Sequence, residues 1–427
     1  MIVYACMGSV TWLFLDMNAY FASVEQQLCR SLRNRPVAVV PTRTDTTCCI
    51  AVSYEARPFG IHTGTQVGEA RRRCPSLRIV EARPPVYVRV HHEIIAAVET
   101  VLPVEQICSI DEMACRLSPQ HRQRTEAIAV AVRVKQAIAQ QVGTSLRCSV
   151  GLATNRFLAK VGSNLQKPDG LSVITREDLP HKLHSMALDD FPGIARGMLA
   201  RLNRYGVHTT AQLCALSRHQ MREAWQSVLG QQWWHWLRGD DIPLTHLGTK
   251  GPTLRRTVGH SHVLPPALRT DEGARTVLVR LIHKAALRLR KLEHWAGRME
   301  LQVSYLGAAG SHGMGHWKRT MHLGRCQDTS AMLQALAVAW CDRPPEGRFP
   351  GSRPLKVSIT LRNLTPTVST TLPLFDQQRQ ATQVAHTMDA INARFGADCL
   401  YLAPLHHGRQ TAPMRIAFTH IPEVETD

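Results

Sequence analysis

The sequence predicts a multidomain chain of the α/β (α+β) class. Three observations carry that expectation. A length of 427 residues suits two to four domains. Through about the first 175 residues, apolar runs of strand length alternate with segments of helical periodicity, the pattern of helices packed around one sheet. From about residue 253 the order becomes strand, helix, strand, strand, helix, strand, which reads as a second α/β unit.

The opening MIVYACMGSVTWLFL has the apolar character of a secretory leader but lacks a basic start, so Val10 to Leu15 reads as a buried strand. That run ends in an acid, Asp16, and Asn18 is placed to cap the helix AYFASVEQQL. RPVAVV and CCIAVSY read as strands and QVGEARRRC as a short basic helix. PPVYVRVHHEIIAAVETVL opens on prolines, which the first turn of a helix tolerates. ICSIDEMACRL is strand-like but interrupted by Asp111 and Glu112. RTEAIAVAVRVKQAIAQQV is a helix, LRCSVGLA a strand, NRFLAKVGSNLQ a helix capped by Asn155, and GLSVI a strand after the Asp169-Gly170 turn. Residues from about 180 to 240 are helical with short loops.

In the second unit Met299, Leu301, Val303 and Tyr305 alternate, as do Val357, Ile359 and Leu361. Its first helix puts Leu278, Ile282, Ala285 and Leu289 on one face and Arg280, Lys284, Arg288 and Lys291 on the other. Beside a nucleic acid that basic stripe would meet phosphates; otherwise it is a solvated face. In the tail, Val384, Met388, Ile391 and Phe395 line one side of a further helix.

Charge narrows the partners. There are 51 Lys and Arg against 33 Asp and Glu, a formal net charge of +18, which attracts a polyanion. No run of 18 apolar residues occurs, so a nucleic acid is favoured over a membrane. The 12 cysteines form no Cys-x-x-Cys, which argues against a zinc ribbon or redox pair and for free thiols in a reducing, cytoplasmic setting. His91-His92, His260 with His262, and His406-His407 lack metal spacing and read as surface or packing residues.

The chemistry rests on three carboxylates. Asp16 closes an apolar strand, where an unpaired charge would be costly to bury. Asp111 and Glu112 sit inside another apolar stretch. Magnesium takes oxygen ligands from carboxylates and substrate phosphates, and two such ions can activate a hydroxyl and stabilise a leaving pyrophosphate. Neighbours on a strand point to opposite faces, so Asp111 and Glu112 share a site only where the chain bends or the strand ends. On spacing alone, ordinary salt-bridged acids remain an alternative.

Four segments then carry a resemblance: DMNAYFASVE at 16–25, SYEARPFGI at 53–61, SIDE at 109–112, and SVGLATNRFLAKVGSNLQKPDGLSVI at 149–174. In this order and at these intervals they resemble the motifs of Y-family (DinB/UmuC-type) DNA polymerases, over roughly residues 12–365. The resemblance implies a right-hand polymerase. Its palm would be 1–24 and 85–178, small fingers 25–84, and a helical thumb 179–245. Beyond the thumb would come a linker at 246–252, a βαββαβ little finger at 253–366 and a tail at 367–427.

It also implies roles. Asp16 and Asp111 would bridge two Mg2+ ions, Glu112 would bind the ion nearer the primer end, and the Met17 carbonyl would complete the nucleotide-side site. Tyr54, Arg57 and Lys160 would grip the triphosphate, Tyr20 would lie beside the nucleotide, and Phe21 would be the steric gate against ribose. Asn18 stands where many members have Asp, and Pro58 where a basic residue is common.

FPGIARG resembles a helix-hairpin-helix offering backbone N–H groups at Gly193, Ala195 and Gly197 to a DNA phosphate, with Ala195 replacing the usual second glycine. Arg280, Lys284 and Arg288 are expected to touch DNA as well. TLPLF resembles a sliding-clamp-binding peptide through Leu372, Leu374 and Phe375, with Thr371 where Gln is usual. The implied activity is low-fidelity translesion synthesis without proofreading, by a monomer acting on primer-template DNA with dNTPs. A weakly catalytic adaptor for another polymerase and a two-metal nuclease are the competing readings.

Overall fold

The structure, a computed structural model, describes residues 8–242, 257–306, 315–342, 353–369 and 376–412. The chain forms two compact units that part between Lys250 and Gly251. The expected linker at 246–252 lies outside the described residues.

The first unit is built on a five-stranded sheet. In chain order its elements are β1 (Trp12–Met17), α1 (Tyr20–Leu28), β2 (Val37–Val40), β3 (Ala51–Val52), α2 (Val67–Arg73), β4 (Arg78–Glu81), α3 (Pro84–Glu99), β5 (Gln106–Ser109), β6 (Glu112–Arg116), α4 (Arg124–Gln141), β7 (Cys148–Ala153), α5 (Arg156–Leu165) and β8 (Leu171–Ile174). The large sheet has the order β5-β6-β1-β7-β8. A small sheet, β3-β2-β4, stands apart on its own core of Val40, Cys49, Val52, Ile61 and Val67. Four helices complete the unit: α6 (Arg196–Arg204), α7 (Thr210–Ala215), α8 (Arg218–Trp225) and α9 (Leu229–Trp236).

Alternation along β1 divides its side chains between two cores. Leu13, Leu15 and Met17 enter a core shared with α3 and α4, while Trp12 and Phe14 enter a second core with α5 and the helical segment. Asp16 continues the Trp12–Phe14 face. Gly151 on β7 explains how closely α5 lies on that face: a Cβ there would run into the Ala159 carbonyl and the Ser163 amide. The sheet and α5 can touch only because this strand position has no side chain.

The second unit contains β9 (Thr257–Val263), α10 (Asp271–Lys291), β10 (His294–Leu306), β11 (His316–Cys326), α11 (Thr329–Cys341), β12 (Arg353–Pro366) and α12 (Asp376–Phe395). Its sheet, β11-β10-β12-β9, is wholly antiparallel. Met299, Leu301, Val303, Val357, Ile359 and Leu361 pack with α10 and α11 on one face. The other face carries Arg298, Lys318, Lys356 and Arg362, all exposed.

The tail changes the reading of α10. Arg290 is buried and binds Asp389 through two nitrogens at 2.6 and 2.8 Å, and Arg280 pairs with Asp398 at 2.7 Å. Lys284 lines the groove between α10 and α12. Of the expected DNA stripe of Arg280, Lys284 and Arg288, Arg280 is turned instead toward a tail acid, Asp398. The expected apolar face of α12 also shifts. Val384 and Phe395 are exposed, Ala385 is buried, and Asp389 supplies the polar anchor.

Candidate active site

The three acids lie at one end of the large sheet. In the β1–β6 pairing Asp16 lies directly opposite Glu112, so both side chains leave the same face. Asp111 lies close enough to feel both of their charges because the chain does turn there. Ser109 pairs with Glu112, and Ile110-Asp111 form a two-residue hairpin turn. The segment expected to be one interrupted strand is two strands, which removes the difficulty that adjacent residues diverge. The Met17 amide donates to the Asp111 carbonyl at 2.8 Å and ties the turn to the end of β1.

Two lysines answer these acids. Lys160, on α5, reaches Asp16 at 2.5 Å and Glu112 at 2.7 Å. Lys167 reaches the same Asp16 oxygen at 2.8 Å. Burial pulls the Lys160 ammonium toward lower pKa, but the charges of Asp16 and Glu112 outweigh it and hold the group above its ordinary value, so it stays protonated. Asp111 is pushed up to about 6, chiefly by burial and further by the charges of Asp16 and Glu112, while the Ser109 hydroxyl, donating at 2.6 Å, pulls the other way.

As they stand, no three acidic, histidine or cysteine side chains among the described residues are gathered around one metal position. Lys160 holds Asp16 and Glu112, and Ser109 holds Asp111. The donor set nevertheless fits a hard divalent cation. It is all oxygen, and the carboxylates already draw a cation between them.

Around this centre the aromatic and basic residues separate. Tyr54 and Arg57 lie on the turn after β3, with the guanidinium 3.7 Å from the Tyr54 ring centre. Burial raises the Tyr54 phenol, Arg57 lowers it, and the charge of Asp16 raises it, so it remains a donor near the carboxylates. Phe21 is buried and stacks on Tyr87, with centroids 4.5 Å apart. Tyr20 is corrected to a core residue, because its hydroxyl is buried and donates to the Tyr87 carbonyl at 2.7 Å. Burial raises that phenol well above its ordinary value.

Asn18 caps no helix. Ala19, at φ +48, takes the N-cap place without a side-chain bond. Asn18 instead accepts from the Asp169 amide at 2.7 Å and donates to Ser149 at 3.0 Å, bracing the loop that carries Lys167. Asn155 does cap α5, accepting from the Leu158 amide at 2.8 Å.

Sequence reasoning missed one lysine beside these acids. Lys167 looked like any surface lysine; its only local signal is the Pro168-Asp169-Gly170 turn next to it. His91, read as a surface or packing residue, is buried and contacts the Ile110 carbonyl at 2.7 Å. Burial drives its pKa down to about 4, so the ring is neutral at pH 7.

At the helical segment, Phe191 and Ile194 are buried while Gly193, Ala195 and Gly197 are exposed. Gly193 turns the chain at φ +102 and Ala195 is the N-cap of α6. A short 3-10 turn, Leu188–Asp190, stands where the first helix of a hairpin was expected. Leu372, Leu374 and Phe375 lie outside the described residues.

A carboxylate-tipped sheet with a lysine-bearing helix pressed on the same face belongs to the class of palm-bearing polymerases. Comparison with known proteins narrows the class. The impB/mucB/samB family model matches residues 15–164, and the impB/mucB/samB family C-terminal domain matches residues 255–374. DNA polymerase IV of Moorella thermoacetica is 29% identical over 394 residues, 92% of this chain and 95% of the relative. DNA polymerase IV of Clostridioides difficile is 30% identical over 295 residues, 69% of this chain and 79% of the relative. Among solved structures, a Y-family DNA polymerase chimera of Dbh and Dpo4 matches with a TM-score of 0.65 at 21% identity, over 83% of this chain and 99% of the other. The chain belongs to the DinB-type Y-family DNA polymerases.

Proposed function

We propose that the chain is a template-directed DNA polymerase for translesion synthesis, adding deoxynucleotides to a primer 3′-hydroxyl at the Asp16–Asp111–Glu112 site. The observation that carries this reading is the hairpin turn, which puts Asp111 and Glu112 at the end of the sheet where Asp16 closes β1. Two magnesium ions held there by these carboxylates and the Met17 carbonyl would supply charge neutralisation and an activated primer hydroxyl.

The chain's own residues do the rest. Lys160 and Lys167 keep positive charge beside Asp16, where a triphosphate would otherwise meet only acids. Arg57 offers a planar fork for a phosphate and Tyr54 a hydroxyl donor. Phe21 offers a ring held flat against Tyr87 as the floor beneath a sugar. Primer extension is the test. Extension supports the polymerase, DNA binding without extension supports the adaptor, and primer shortening without nucleotides supports the nuclease.

For DNA, the exposed sheet face of the second unit replaces α10. Among the described residues Arg298, Arg362, Lys318 and Lys356 present cations there, with Glu300 pairing Lys318 at 3.0 Å and Arg362 at 3.2 Å. Arg298→Ala and Arg362→Ala should each weaken DNA binding across sequences and reduce the salt slope by about 1. Arg280→Ala should leave that slope alone. Unchanged slopes in both sheet variants would sink this assignment.

A sliding clamp is the proposed protein partner, through Leu372, Leu374 and Phe375. Replacing Leu374 and Phe375 with Ala should abolish clamp-stimulated synthesis and spare basal synthesis. Stimulation that survives in this double variant would rule the peptide out.

A further inference from the structure

The turn that carries Asp111 does not set its own geometry. Favoured two-residue hairpin turns need positive φ at one or both central positions, usually from Gly, Asn or Asp. Here the central residues are Ile110 and Asp111, and neither has positive φ. A turn of that kind needs outside support, and both of its carbonyls receive it. Met17 donates its amide to the Asp111 carbonyl at 2.8 Å. The imidazole of His91, from α3, meets the Ile110 carbonyl at 2.7 Å.

His91 is 1% exposed, and its other nitrogen, Nε2, is buried with no hydrogen-bond partner. A carbonyl can only accept, so Nδ1 is the donor. Leaving a polar nitrogen buried and unpaired is costly, a penalty that an apolar side chain of similar size would avoid. Packing alone therefore does not favour histidine here; what it adds is the donor to Ile110.

We propose that His91 is a positioning residue for the carboxylate site. Its Nδ1–H, anchored on α3, fixes the Ile110 carbonyl and so the direction in which the Asp111 carboxyl leaves the turn. The inference rests on the reading of Asp16, Asp111 and Glu112 as a divalent-cation site.

The test uses the full chain and Mn2+ as the probe, with binding followed by loss of the free-ion EPR signal and turn mobility by amide hydrogen exchange at 109–112. His91→Asn keeps an amide donor at the Nδ1 position and should hold both readouts near wild type. His91→Leu should weaken Mn2+ binding by roughly tenfold, the low end of what loss of an outer hydrogen bond does to metal sites, and speed exchange at the turn. If His91→Leu does not fold, His91→Gln, whose amide lies one bond further out, takes its place with the same expectation. Asp111→Ala is the reference. If Asp111→Ala loses Mn2+ and the His91 loss variant does not, the positioning role is overturned alone. If Asp111→Ala binds as wild type, the carboxylate reading fails first.

Discussion

Asp111→Ala is expected to lower primer extension on the order of 10³-fold while making the metal-free protein more stable. The first effect comes from position. Asp111 sits on a turn tied to the end of β1 and shares its field with Asp16 and Glu112. Removing one preorganised charge from such a site costs on the order of 10²–10³-fold in rate, and more where it also weakens a bound ion.

The second effect has the opposite sign because charged Asp111 is held against burial and two like charges. Its pKa of about 6 lies above the ordinary 3.8, so the folded protein binds this proton more tightly than the unfolded chain does. The penalty is absent below pH 3.8, grows as pH rises, and is complete above about 6. At pH 7.5 it amounts to about 3 kcal/mol, and its removal should raise the melting midpoint in chelator by about 6–9 °C. Single-turnover extension and thermal melts measure the two. A variant that keeps a tenth of the wild-type rate would contradict the catalytic assignment.

The carboxylates and most strands were legible because their signals are local: apolar runs ending in acids, Asn155 before α5, prolines opening α3. What was not legible depends on distant partners. Ile110-Asp111 carries no glycine or asparagine, so the hairpin hid inside an apolar run until Ser109 was seen to pair with Glu112. Arg280 and Arg290 gave a basic helix no sign of its cover, because Asp398 and Asp389 lie about a hundred residues further on. Asn18 had the right type and place for a cap, yet its side chain is taken by Asp169 and Ser149, brought near by β7 and β8. Lys167 became visible only once that loop was placed beside Asp16.

Sugar selectivity should track Phe21 and not Tyr20. The two residues are adjacent on α1, but their environments divide them. The Tyr20 hydroxyl is engaged by the Tyr87 carbonyl, whereas the Phe21 ring lies against the Tyr87 ring at 17°. Tyr87 is itself fixed: its hydroxyl donates to Glu25 at 2.8 Å, and Arg83 binds Glu25 at 2.5 and 3.0 Å. A ring braced in this way cannot swing aside for a 2′-hydroxyl. Phe21→Ala should raise ribonucleotide incorporation relative to deoxynucleotide on the order of 10²-fold. It should also destabilise the fold by about 3–5 kcal/mol, because the ring is buried. Phe21→Leu keeps most of the volume and should give a smaller change in selectivity at a smaller loss of stability. Tyr20→Phe should cost about 1 kcal/mol through the lost hydrogen bond and leave selectivity alone. The measurement is the ratio of kcat/KM for dCTP and CTP opposite template guanine. An unchanged ratio in Phe21→Ala, in protein shown by melting to be folded at the assay temperature, would remove Phe21 from the site.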